Sequence, residues 1–218
     1  MKVRVFDSVA EAATAAQEYL QGPRIAVSGG GTFADLFPRW APQVRNAVAA
    51  GQSLKFFPVD ERMVPYEDAE CNWRVCGEKL LIPAGLAAQK SHHAVSASQY
   101  AALLEQEFAG GPVEFDTVLL GTGEDGHTAS LFPGGASLRD RTSVVLEITG
   151  PKPPPRRVTL GFKPIWECKI LVAFVFGAGK AGIARRVREG DMTLPITQAL
   201  AGHGNAILML DKAAAGAG

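Results

Sequence analysis

The chain has 218 residues, with 22 Lys plus Arg against 22 Asp plus Glu, and is 47% hydrophobic and 20% charged. That length suits one domain with a sizeable core, and the even charge balance gives no electrostatic ground for a nucleic-acid or membrane partner. The three cysteines, Cys71, Cys76 and Cys168, are too few and too scattered for a disulfide framework or a zinc site. They fit reduced thiols, Met1 to Phe6 is too short and mixed for a signal peptide, and no apolar run reaches membrane-spanning length, so a cytoplasmic setting is expected.

Lys2 to Asp7 alternates weakly and predicts a first strand. Ser8-Val9-Ala10-Glu11 has the form of a capping box, which satisfies free N–H groups reciprocally. An alanine-rich helix should follow to about Gln21, closed by Gly22 and Pro23. Arg24 to Ser28 is a second, short apolar strand that runs into Gly29-Gly30-Gly31-Thr32, with helix from about Phe33. Strand, glycine loop and helix N-terminus make a phosphate cradle, because backbone N–H groups point at the anion and the helix dipole favours its charge. The segment is neither GxGxxG nor GxxxxGK[ST], and a glycine-rich turn with no ligand would use the same residues.

Ser53 to Val59 predicts a third strand, with Asp60-Glu61-Arg62-Met63-Val64-Pro65 at its carboxyl end and Cys71-Asn72 shortly after. Arg62 is the stronger candidate there, since a guanidinium forks onto phosphate or carboxylate oxygens, and Glu61 reads as structural. A helix is expected from about Ala69 to Leu81, ending before Pro83. His92 and His93 have no third ligand at metal spacing and read as solvated loop residues. Ser98 to Phe108 carries apolar residues at helical spacing.

The most informative stretch runs from Val118 to Pro133. An apolar run, read as a buried strand, breaks into Gly121-Thr122-Gly123-Glu124-Asp125-Gly126-His127. The break sets polar side chains at the carboxyl end of a strand, where open α/β sheets bind ligands. His127 is the one side chain there that both takes and gives a proton near neutral pH, and Asp125 stands two residues earlier to orient or charge-stabilise it. Taken alone, a histidine after a strand is more often a hydrogen-bonded loop residue.

Val144 to Ile148 predicts another strand, and Pro151 to Thr159 a stiff proline loop with Arg156 as a surface charge. Lys169 to Phe176 is the unbroken apolar run of a parallel strand covered on both faces. Gly177-Ala178-Gly179-Lys180 opens an arginine-rich helix, and a lysine at that position opposes the dipole, which suggests an anionic partner. Leu194 to Leu200 predicts a short helix, His203 an incidental turn residue and Ala206 to Leu210 a last strand. Strands alternate with helices, so the expected fold is α/β: a mostly parallel open sheet with helices on both faces, Rossmann-like, in one domain over 1–211, with 212–218 a disordered tail.

The central stretch resembles the signature LGxGxDGHTASLFPG of the 6-phosphogluconolactonases, within the glucosamine-6-phosphate isomerase/6-phosphogluconolactonase family, and departs from it at Thr122, where Met is common. Four other segments resemble the same family: Ser28 to Phe33 its SGGxTP loop, Asp60 to Asn72 its DERxVPxxxxSN element, Pro153 to Thr159 its PPPxRxT segment, and Gly177 to Lys180 its GxxK element. Phe33 stands in place of proline and Cys71 in place of serine. The resemblance implies hydrolysis of 6-phospho-D-glucono-1,5-lactone to 6-phosphogluconate, in the pentose phosphate pathway, with no cofactor and no metal. It implies a sugar-phosphate lactone as the partner, no nucleic acid or membrane, and a monomer or small homo-oligomer. His127 would be the acid and base, with Asp125 as helper. Gly29, Gly30, Gly31, Thr32, Lys180 and either Arg157 or Arg62 would hold phosphate, and Asp60 would accept from sugar hydroxyls. The oxyanion donor is left open.

Three alternatives stand beside this. A glucosamine-6-phosphate deaminase would carry a Glu soon after the histidine, in a stretch like FNEP, where this chain has Ser130-Leu131-Phe132-Pro133. A non-catalytic sugar-phosphate sensor would keep the phosphate loop without needing His127. Ribose-5-phosphate isomerase has weaker motif support.

Overall fold

The computed structural model describes residues 1–216. The first half of the chain forms β1 (Lys2–Phe6), α1 (Val9–Ala16), β2 (Arg24–Val27), α2 (Gly30–Ala49), β3 (Lys55–Pro58), β4 (Asp60–Arg62), α3 (Asn72–Cys76), α4 (Ala97–Glu107) and β5 (Thr117–Gly121). The second forms β6 (Val145–Thr149), β7 (Arg156–Leu160), α5 (Phe162–Glu167), β8 (Ile170–Val175), α6 (Ala181–Arg188), α7 (Pro195–Gly202), β9 (Ile207–Asp211) and α8 (Lys212–Ala215). Six strands make one sheet in the order β1-β9-β8-β5-β2-β3, with every pairing parallel. After β2 the chain moves outward to β3, and after β5 it moves the other way to β8 and β9. The direction reverses between β2 and β5, so a crevice opens beyond their carboxyl ends.

The apolar runs follow from this layering. Side chains alternate across a strand, so a strand covered on both faces needs apolar residues at every position. Ala26, Val118, Leu120, Leu171, Ala173 and Val175 join one core, and Ile25, Val27, Leu119, Val172 and Phe174 the other. The second core is covered by α1, α2 and α3 through Ala12, Trp40 and Trp73; the first is covered by α4 to α8 through Tyr100, Ile165, Ile183, Ile196 and Ala214. The capping box forms with one change of partner. Ser8 Oγ accepts from the Glu11 N–H at 3.2 Å, while Glu11 Oε2 reaches the N–H of Asp7 at 2.9 Å.

The expected parallel sheet with helices on both faces is present, joined by a second element that the sequence pattern hides. Strands β4, β7 and β6 form a small antiparallel sheet in that order. Residues 156–160, expected within a stiff loop, are its central strand, because the proline run ends at Pro155 and Arg157 to Leu160 are all buried. The Leu160 N–H donates to the Val59 carbonyl at 2.8 Å, which ties this sheet to the end of β3. Two further expectations are corrected. Lys212 to Ala215 are helical rather than a disordered tail: the Asp211 carboxylate accepts from the Ala214 N–H at 2.9 Å and Ala214 is buried, while 217–218 lie outside the described residues. His92 is not a solvated loop residue. It is buried, stacked 4.8 Å from the Phe57 ring, and its Nδ1 meets the Phe56 carbonyl at 2.7 Å.

Phe33, which stands in place of the proline of the resembled SGGxTP motif, is fully buried against Phe37, Trp40 and Phe174, with ring centroids 5.6 to 5.9 Å apart and edge-on geometry. Such pairs add to what burial alone contributes. The aromatic cluster thus replaces a backbone restraint at the start of α2 with side-chain packing. Phe33→Ala is expected to lower the unfolding free energy by about 3–5 kcal/mol, measured by urea denaturation. A loss under 1 kcal/mol would mean that the cluster does not anchor α2.

Candidate active site

The crevice between β2 and β5 is an open cleft of about 290 Å³. Gly29, Gly30, Gly31, Thr32, Asp60, Arg62, His127, Arg157 and Lys180 all line it. Asp125 stands behind His127 rather than in the wall, hydrogen-bonded to it. All ten candidate residues named from sequence are therefore in or directly against one site.

Each enters on a different element. At one end, Gly29 caps α2 and Gly30 to Thr32 form its first turn, with no side chain occupying the cap. The first N–H groups of a helix have no partner inside it, so they face the cleft as anion donors. A Cβ on Gly29 would fall 2.1 Å from the Asn72 side chain, so the loop can approach only as glycine. Asn72 in turn accepts from Arg62, whose other bond goes to the Glu70 carbonyl at 3.0 Å. Neighbouring strands place Arg62 opposite Arg157 and Asp60 opposite Thr159. Asp60 is fixed by Ser130, whose hydroxyl donates to its Oδ2 at 2.6 Å, and Ser130 is itself held by its N–H on Thr159 Oγ1 at 3.2 Å.

The cations are poorly satisfied within the protein. Arg62 Nε and Arg157 Nε are buried without a hydrogen-bond partner, as is Thr122 Oγ1. Burial pushes the Arg157 guanidinium down from its ordinary value, against the pull of Asp60. Burial also lowers Lys180, opposed by the charges of Glu124 and Asp211. Lys180 closes a 3₁₀ turn, Ala178–Lys180, immediately before α6. Buried donors without partners carry a desolvation cost that an anion in the cleft offsets.

The opposite end of the cleft is built on the turn after β5. The Gly123 N–H donates to the His127 carbonyl at 2.9 Å, and Thr128 Oγ1 donates to the Gly121 carbonyl at 2.8 Å. His127 Nδ1 is hydrogen-bonded to Asp125 Oδ1, its backbone N–H reaches the same oxygen at 3.2 Å, and its ring lies 4.9 Å from Phe132. Burial raises the Asp125 carboxyl, but the hydrogen bond and charge of His127, with Lys152, outweigh it and hold it at about 2. The carboxylate is therefore ionised across the working pH range and fixes Nδ1 as the protonated nitrogen, leaving Nε2 with the free lone pair.

Beyond the cleft, Glu61, Cys71 and His93 bring one oxygen, one sulfur and one nitrogen within 4.8 Å of one another. Glu61 already accepts N–H groups from Arg62, Asn72 and Trp73 at 2.6 to 2.8 Å, and Cys71 Sγ donates to it at 3.4 Å. Burial pushes Glu61 up to about 7 and the Cys71 thiol to about 12. With its oxygens spent on β4 and α3 and the thiol kept protonated, the group serves as a structural clasp. Cys71 also caps α3, its sulfur accepting from the Arg74 N–H at 3.3 Å. Among residues not singled out from sequence, Asn72, Ser130, Thr122 and Glu124 belong to the site; all four sit inside motifs already noted, and only their side-chain partners were invisible.

Fold and cleft together define a doubly wound α/β protein whose switch-point crevice pairs an anion cradle with a histidine–carboxylate couple. The chain belongs to the glucosamine-6-phosphate isomerase/6-phosphogluconolactonase family, whose model matches residues 1–208. It is 34% identical over 210 residues to a 6-phosphogluconolactonase of Bos taurus, covering 88% of this chain and 79% of that one. It is 35% identical over 167 residues to the Homo sapiens 6-phosphogluconolactonase, covering 72% and 65%. Among solved structures, the 6-phosphogluconolactonase of Trypanosoma brucei superposes with a TM-score of 0.78 at 25% identity, covering 99% and 97% of the two chains. A monomeric glucosamine-6-phosphate deaminase shares the fold at a TM-score of 0.77 and 20% identity over the whole of both chains. Among the described residues no helix is long and apolar enough to cross a membrane.

A Cβ on Gly123 would lie 2.1 Å from the His127 ring, although the backbone there is not in the left-handed region. Gly123→Ala is therefore expected to leave the chain folded and to push the imidazole off Asp125. Nitrogen-15 NMR of the histidine rings checks this: the His127 Nδ1 resonance should lose its hydrogen-bonded position. An unchanged spectrum would show that the turn yields instead of the ring.

Proposed function

We propose that the chain hydrolyses 6-phospho-D-glucono-1,5-lactone to 6-phosphogluconate, with His127 as general base and then general acid. The observation that carries the reading is the His127–Asp125 pair at one end of a cleft whose other end is a helix N-terminus among cations. Relatives named 6-phosphogluconolactonase support the substrate, and the stretch Ser130 to Pro133, which has no carboxylate, speaks against the deaminase.

The steps follow from these positions. The phosphate lies against Gly29 to Thr32 and Lys180, which directs the lactone carbonyl toward His127. Nε2 takes a proton from water as the oxygen bonds to C1. The tetrahedral intermediate collapses, the bond from C1 to the ring oxygen breaks, and the imidazolium returns its proton to that oxygen. Asp125 holds the ring and stabilises the transient imidazolium. Arg157 Nε and Thr122 Oγ1, both without protein partners, are the donors available to the oxyanion. Asp60, held by Ser130, accepts from sugar hydroxyls.

A pH-stat assay on freshly made lactone, with the spontaneous rate subtracted, tests the activity. His127→Asn keeps polarity and size but cannot shuttle a proton, so kcat should fall by about 10²–10⁴-fold with product binding retained. The acid limb of kcat/KM, where the imidazole is protonated, should vanish in the variant. Near-wild-type kcat in folded His127→Asn would sink the mechanism; ammonia release from glucosamine 6-phosphate, with no effect on the lactone, would overturn the substrate.

Lys180→Ala should raise KM more than it lowers kcat, because a charge-assisted phosphate bond of about 1.5–3 kcal/mol is made equally in ground and transition states. Discrimination against the unphosphorylated lactone should shrink in parallel. Unchanged kinetics on both lactones would remove Lys180 from the site.

A further inference from the structure

Asp125 has two oxygens and divides them. Oδ1 takes both the ring and the backbone N–H of His127, while Oδ2 faces Lys152 Nζ at 3.3 Å. Lys152 arrives from the proline segment between β6 and β7, a different part of the chain from the turn that carries Asp125 and His127. The same residue makes a second link through its backbone: its carbonyl accepts from Arg157 Nη2 at 3.3 Å. Arg157 lies 5.7 Å over the Phe132 ring, and Phe132 packs against His127. One lysine thus touches both the carboxylate behind the imidazole and the arginine beside it.

We propose that Lys152 is a positioning residue for the histidine: its ammonium fixes the rotamer of Asp125 and draws on its charge, setting how readily His127 takes a proton. This rests on the acid–base reading of His127. The sign follows from the charges. An ammonium on Oδ2 weakens the pull of the carboxylate on an imidazolium, so removing it favours the protonated ring. The other charges lining the cleft are Asp60, Glu124, Arg62, Arg157 and Lys180, and none is hydrogen-bonded to the imidazole. Lys152 is 52% exposed, so water screens its effect and the shift is modest.

The test compares wild type, Lys152→Gln and Lys152→Arg in the full chain. Histidine-ring NMR titration reads the proton equilibrium without turnover, with the His127 signals identified by their loss in His127→Asn. In Lys152→Gln the His127 titration should move to higher pH, and the acid limb of kcat/KM should move with it. Lys152→Arg should restore both. A Gln variant whose ring titrates as in wild type, whether or not its melting temperature falls, overturns the proposal by leaving the lysine a purely structural role. A shifted ring titration in a protein whose wild type has no acid limb would instead uphold the coupling and remove His127 from the chemistry.

Discussion

The site depends on a stitch between two glycine turns that are far apart in sequence. Ser28, at the end of β2, donates its N–H to the Leu119 carbonyl at 3.0 Å and accepts the Gly121 N–H on its hydroxyl at the same distance. These bonds continue the parallel ladder past the point where both chains leave the sheet. They hold the anion cradle at the head of α2 and the histidine turn after β5 in one frame. Phe33 supports the stitch from below, its ring 3.5 Å from where a Cβ on Gly121 would be. Because strand order reverses here, the frame faces a cleft open to solvent.

Around this frame the small antiparallel sheet works as a second wall. It carries Asp60, Arg62 and Arg157, and it is joined to the frame through buried polar groups rather than apolar packing alone. Ser130 bonds Asp60 to the histidine turn, and Glu61 bonds β4 to the start of α3. Directed bonds suit this task better than apolar contacts, because hydrogen bonds fix orientation and hydrophobic burial does not. Glu61 shows the cost: its carboxyl is pushed up to about 7 by burial despite three backbone donors. Above the ordinary glutamate range its ionisation works against folding, so its contribution to stability declines as pH rises toward 7.

Much of this was legible in the sequence where one strong pattern governed a whole element. The apolar runs at Arg24, Val118 and Lys169 announced strands, the last of them covered on both faces, and Gly29 to Thr32 and Gly121 to Gly126 announced turns at the ends of the first two. Residues whose fate is set by a distant partner were not legible. Residues 156–160 follow five residues of which four are proline, so their strand character shows only once β4 and β6 lie alongside. His92 looks polar until Phe57 and Trp73 enclose it. The helix over Lys212 to Ala215 is too short to be periodic and exists because Asp211 caps it and Ala214 finds the core.

The cleft separates two kinds of work by distance along the same crevice. On the proposed mechanism, the backbone donors at the head of α2 and Lys180 hold the phosphate, and their interactions do not change as bonds break. At the β5 end, a lysine, an ionised carboxylate and an imidazole form a connected chain across one loop and one turn. On that mechanism, binding at the first end supplies position for reaction at the second, which is how contacts remote from the reacting atoms contribute to rate. The proposed roles would account for Asp125 lying outside the wall while Asp60 lies within it. A carboxylate that supports an imidazolium must be shielded from the substrate's own negative charge, whereas one that accepts from hydroxyls must touch them.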